Sequence, residues 1–154
     1  MTKVFIDSPK LLSFICSEMK KQIYRDEEIF KNYHHYRELF NQNKKVNYQI
    51  AVQHLEKCIE WRKKIPIELN RLKRSYISLI YHRYQDMFIY CVENKDYNKA
   101  LQALENCILW RQKIVEKDDE HVAFLQSLKI EKESLINYIL TKEKNKPYRI
   151  KIVV

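Results

Sequence analysis

The stretch Tyr48-Gln49-Ile50-Ala51-Val52-Gln53-His54-Leu55-Glu56-Lys57-Cys58-Ile59-Glu60-Trp61-Arg62-Lys63-Lys64-Ile65 decides the fold, because the chain contains it twice. It returns as Tyr97-Asn98-Lys99-Ala100-Leu101-Gln102-Ala103-Leu104-Glu105-Asn106-Cys107-Ile108-Leu109-Trp110-Arg111-Gln112-Lys113-Ile114, with Tyr, Ala, Leu, Glu, Cys, Ile, Trp, Arg, Lys and Ile at matching offsets. On a helical wheel Tyr48, Ala51, Leu55, Cys58, Ile59 and Arg62 share one face, as do Tyr97, Ala100, Leu104, Cys107, Ile108 and Arg111. Small Ala and Cys side chains let a neighbouring helix approach closely, while Tyr and Leu fill the space beside them. This face is core, so most of the repeated residues specify packing.

The duplication extends upstream. Tyr33-His34-His35-Tyr36-Arg37-Glu38-Leu39-Phe40 matches Tyr81-His82-Arg83-Tyr84-Gln85-Asp86-Met87-Phe88 in character, at an offset of 48 residues (33 to 81) against 49 (48 to 97) for the opening stretch. One extra residue in the second connecting loop is the expected reason. The unit is therefore a whole helix–loop–helix, duplicated in tandem. The loops are 41–47 and 93–96, where Asn and Asp are expected to supply the left-handed and capping conformations. Asn47 and Asp96 stand where N-caps belong.

Ser8-Pro9 starts the first helix, with Ser8 as N-cap, and Leu11, Ile15, Met19 and Ile23 follow at helical spacing. Asp26-Glu27-Glu28 leaves two readings open, a fresh helix start or the exposed face of one long helix. Ile29, Tyr33, Tyr36 and Phe40 form the next stripe. Pro66 ends the first unit and opens a helix from Ile67 to about Val92. Asp118-Asp119-Glu120 opens the last helix, whose apolar face reads Val122, Leu125, Leu128, Leu135, Ile139 and Leu140; it is expected to cap the array. Lys3–Ile6 and Tyr148–Val154 are β-prone. The expected organisation is one all-α domain of tandem antiparallel helical hairpins. An arm and helix occupy 1–25, hairpins 26–65 and 66–117, the capping helix 118–146 and a β-prone tail 147–154.

Composition agrees with an all-helical reading. The 154 residues are 45% hydrophobic and 12% aromatic, too apolar for disorder despite 32% charge. Glycine is absent and proline occurs three times, which argues against a β-rich fold and removes glycine-rich phosphate loops. The charge of +9 raises association with polyanions, but abundant Lys, Ile, Asn and Tyr are also what AT-rich coding produces. Cys16, Cys58, Cys91 and Cys107 are widely spaced and read as reduced thiols of an intracellular, cytoplasmic protein. No secretory leader or membrane-length apolar run is expected.

Tyr-x-x-Ala-x-x-x-Leu-x-x-Cys-Ile is similar to the second-helix pattern of tetratricopeptide repeats, and Asn94-Lys95-Asp96-Tyr97-Asn98-Lys99-Ala100-Leu101 looks like the usual entry into that helix. Cys58 and Cys107 stand in for the family's second small alanine. The period is longer than the roughly 34 residues of that family. The resemblance implies a stack of antiparallel helical pairs presenting a groove to peptide segments of partner proteins.

No catalytic, cofactor or metal constellation is visible. His34 and His82 occupy equivalent positions without a second ligand at metal spacing. A non-enzymatic interaction module is the expected function. Its candidate partner-binding residues are Trp61, Arg62 and Lys64 with their counterparts Trp110, Arg111 and Lys113. The arginines complement helix C-termini or hold acidic groups of a partner; Asp26–Glu28 could meet Arg62, and Glu68 could meet Arg111. The tryptophans fill hairpin junctions or anchor a partner. The basic runs Lys57–Arg74 and Lys142–Lys151 keep nucleic acid open as an alternative partner, and the β-prone ends keep homo-oligomer formation open.

Overall fold

A computed structural model describes residues 8–64, 73–114, 117–141 and 146–152, with backbone alone at 22–24 and 73–76. These form five helices: α1 (Ser8–Asn43), α2 (Tyr48–Lys63), α3 (Lys73–Glu93), α4 (Tyr97–Gln112) and α5 (Asp119–Thr141). Consecutive helices pack on one another in chain order, α1 on α2 and α3 on α4 most extensively. Among the described residues there is no strand. Lys3–Ile6, Pro66, Ile67 and Glu68 lie outside them.

The two readings of the acidic run at Asp26–Glu28 resolve to one. α1 is a single helix of 36 residues, because nothing after Pro9 removes a backbone donor or frees the chain to turn. At 1.5 Å per residue it spans about 54 Å, against about 24 Å for α2. Only its second half is covered, with Ile29 and Tyr33 buried. Leu12, Phe14 and Met19 on the first half stay about 60% exposed.

The repeated face is the core. Ala51, Leu55, Cys58 and Ile59 of α2 are buried, and so are Ala100, Leu104, Cys107 and Ile108 of α4. All of these except Cys58 belong to one apolar cluster with Ile80, Tyr84, Phe88 and Cys91 of α3. Burial pushes the Cys58 and Cys91 thiols up to about 11 and that of Cys107 to about 12, so these are protonated packing groups, not nucleophiles.

The two caps predicted in the loops form, Asn47 accepting from the Ile50 N–H at 3.2 Å and Asp96 from the Lys99 N–H at 3.4 Å, whereas Ser8, expected as the N-cap of α1, is its first helical residue. The left-handed residue of the second loop is Lys95, with φ 60°, instead of an Asn or Asp. Asn94 is committed to the Tyr90 carbonyl at 2.8 Å and Asp96 to capping, which leaves the turn to the residue between them. The extra residue of the second unit also falls elsewhere than expected. α3 ends at Glu93, two positions beyond the counterpart of Asn43, and its loop of three residues, 94–96, is one shorter than 44–47. The helix, not the loop, absorbs the insertion.

α5 starts as expected, Asp118 accepting from the His121 N–H at 2.7 Å. Its face is rotated from the one predicted. Leu128 and Leu135 are fully buried, but Val122 and Leu140 are exposed and His121 and Glu131 are buried in their place. The counts three, four and seven from Leu128 select 121, 124, 125, 131, 132 and 135, and 122 and 140 fall off that stripe.

The tail follows α5 back in the opposite direction. Tyr148 and Ile152 are buried and Ile150 packs on the core, while Arg149 and Lys151 face outward. The inward–outward alternation is therefore present, but it is met by a helix face, and among the described residues no strand lies beside it.

Candidate partner-binding edge

The six residues singled out in the duplicated stretch divide into two sets. Arg62 and Arg111 are buried at 5% and 8% exposure, inside the molecule instead of on its edge. The Arg62 guanidinium lies 5.5 Å from the Phe30 ring centre and 5.9 Å from that of Tyr33. Arg111 lies 4.7 Å from the ring centre of Tyr81 and 4.2 Å from that of Phe124. Each guanidinium thus bridges its own helix to aromatic rings of packed neighbours, α1 in one case and α3 with α5 in the other. Glu68, the predicted mate of Arg111, is outside the described residues.

Arg111→Ala is expected to destabilise the fold by about 2 kcal/mol, since it removes a desolvated cation–π contact and leaves a gap between two rings. Arg111→Lys should recover little, because an ammonium cannot lie flat between them. Thermal melts of the two variants check this; an unchanged midpoint for Arg111→Ala would return the arginine to the list of surface groups.

The tryptophans and lysines are the outer set. Lys64 Nζ sits 3.7 Å from the Trp61 ring centre, and Lys113 Nζ 3.9 Å from that of Trp110. Both lysines are exposed and both indoles half-buried. The pairing has the same cause in each copy. The residue three past Trp is a C-cap in right-handed helical geometry, so its side chain returns over the indole.

Lys63 joins the two pairs. Its ammonium donates to the Tyr84 hydroxyl, lies 4.9 Å over that ring, and is 5.6 Å from the Trp110 ring centre. The end of α2, the middle of α3 and the end of α4 therefore meet at one corner. Three ammonium groups are fixed there by the negative faces of aromatic rings, with helix C-termini beneath to favour cations. Lys63 was read only as part of the basic run Lys57–Arg74 and not singled out with Trp61, Arg62 and Lys64. The available signal was a difference between the copies, since its counterpart in the second stretch is Gln112.

Beside this corner an open groove of about 220 Å³ runs between α2 and α4, floored by Ile59, Tyr84, Met87 and Ala103. Its far end is spanned by a Lys99–Glu56 ion pair of 2.7 Å. A second groove of about 280 Å³ lies between α1 and α3, where Arg37, Lys44 and Arg83 stand among Phe40, Leu55 and Tyr90. Asp86 pairs with Arg83 at 3.1 Å there. Burial still raises the Asp86 carboxyl above its usual range, with Arg83 and Arg37 opposing. Burial holds the His82 imidazole below its ordinary value, with the Arg83 charge adding to the effect. Among the described residues no group of three His, Cys, Asp or Glu side chains is placed to hold a metal ion.

No helix among the described residues is long and apolar enough to cross a membrane. Comparison with known proteins leaves the geometry to speak for itself: no family model, no curated protein and no solved structure matches the chain.

Proposed function

We propose that this chain is a non-enzymatic protein-interaction module. In this reading it is an array of two duplicated helical hairpins of tetratricopeptide-like type, capped by α5, that holds an acidic segment or surface of a partner protein. The recognising edge is Trp61, Lys63, Lys64, Trp110 and Lys113, with Arg62 and Arg111 as supports beneath it. The observation that carries the reading is Lys63, which lies over both Tyr84 and Trp110 and so turns two separate helix ends into one cationic surface. Ammonium groups held on rings have little further freedom to lose on binding a carboxylate, which favours their use as a fixed recognition surface.

Charge recognition is favoured over base stacking here, because the lysines already occupy indole faces that a nucleobase would need. The double variant Lys64→Glu/Lys113→Glu replaces exposed side chains only, so its melting temperature should stay within a degree or two of the parent. Capture of the native partner by affinity purification should fall by at least about tenfold, as rim charges reversed against a complementary surface cost more than 1.4 kcal/mol. Undiminished capture by the variant removes this edge from the assignment. Binding of single-stranded RNA or DNA at physiological salt, lost in the same variant, would transfer the edge to nucleic acid.

A further inference from the structure

The tail and α5 enclose a groove of about 590 Å³, more than twice the volume of either groove described above. Its walls carry Lys146, Arg149 and Lys151 from the tail and Ser134, Asn137 and Thr141 from α5. Among the described residues no carboxylate lines it. The other two grooves mix the signs, Asp86 and Glu93 facing Arg37 in one and Glu56 and Glu60 facing Lys63 in the other. Among the described residues none of the three tail cations is engaged in an ion pair, and all three are exposed.

The cations are also held in place. A segment of seven residues, 146–152, would ordinarily present its charges on a wandering chain. Here the Tyr148 hydroxyl donates to Glu131 Oε2 at 2.9 Å and the Lys151 N–H donates to Glu131 Oε1 at 2.7 Å. The Tyr138 hydroxyl donates to the Lys146 carbonyl at 2.8 Å. Glu131 is fully buried beneath the tail, with both oxygens engaged, so it anchors the strap without forming a wall of the groove. The backbone of each basic residue is thereby fixed at or next to a hydrogen bond. On an extended chain Arg149 and Lys151 stand about 7 Å apart on one side. With Lys146 the groove carries three cations, more positive charge than a single doubly charged anion neutralises.

We infer that the groove between the strap and α5 is a binding site for a ligand carrying linked phosphates. The three cations pair with the phosphate oxygens and the Asn137 amide adds a donor, while the Thr141 hydroxyl stays committed to the Asn137 carbonyl at 2.8 Å. The site lies on different helices from the Trp–Lys edge and does not depend on it.

Tripolyphosphate and ATP are the probes, titrated calorimetrically into the full chain at physiological salt, with sulfate as the single-anion control. Both probes should bind at least about tenfold tighter than sulfate. Equal affinities mean that the phosphate chain alone is read, and tighter ATP means that a nucleoside is read as well. Lys146→Glu/Arg149→Glu should lower both affinities by at least about tenfold, while Lys113→Glu on the separate edge leaves them unchanged. Tyr148→Phe keeps every cation and the ring but loosens the strap, and should weaken binding severalfold. The inference is overturned if neither probe binds, if sulfate binds as well as tripolyphosphate, or if Lys146→Glu/Arg149→Glu binds like the parent.

Discussion

Leu104→Ala will cost about 3–4 kcal/mol, and Leu55→Ala will cost nearly the same. Both side chains are essentially unexposed, at 0% and 1%, and both sit between a small Ala and a small Cys on the same helix face. Deleting such a leucine forfeits its transfer free energy and leaves a cavity that rigid helices close only in part. The near equality is the sharper half of the expectation. If the duplication is one of packing as well as of letters, the same deletion must meet the same surroundings in each copy. Urea denaturation of both variants measures this from the midpoints at constant slope. Costs differing by more than about 1.5 kcal/mol would show that the two helices are alike in sequence and unlike in environment.

Glu131→Ala will cost about 3 kcal/mol, by a different route. No large apolar group is lost. The Lys151 N–H is instead left under the strap without its acceptor, and the Tyr148 hydroxyl keeps only its longer 3.3 Å contact to the Glu131 carbonyl; an unsatisfied buried donor costs about 1–3 kcal/mol. The tail will escape part of that cost by leaving the helix face, so amide exchange at 148–152 should rise by orders of magnitude while α2 and α4 keep their protection. Exchange mass spectrometry resolves the two regions. Uniformly increased exchange would mean that Glu131 supports the whole core and not the strap alone.

The sequence made the buried stripes of α2 and α4 legible residue by residue, since duplication displays which positions the fold holds constant. It also made the two N-caps legible, because Asn and Asp before a periodic run have a local cause. What it did not display were interactions with no period. Lys63 reaches α3 and α4 from the end of α2, and only tertiary packing brings Tyr84 and Trp110 within its range. Glu131 looks like one more solvated acid on a charged helix; its burial depends on a tail that folds back from some 20 residues further along. Arg62 and Arg111 were placed at helix ends correctly, but whether a guanidinium faces water or a ring is decided by the neighbouring helix. The rotation of the α5 stripe has the same origin, because a histidine and a glutamate hold core positions that an apolar pattern cannot mark.

The overhang of α1 gives the molecule two kinds of helix. From Ile29 onward the helix is secured by side chains packed on α2. From Ser8 to about Arg25 it borrows its order from that packed half, which spares it nucleation and leaves each added turn to propagation alone. Its residues therefore obey a helix–coil equilibrium near balance, drawn down smoothly by warming, while the remainder of the chain waits for a cooperative transition. A thermal scan followed by circular dichroism would record the first as a sloping baseline and the second as the melt.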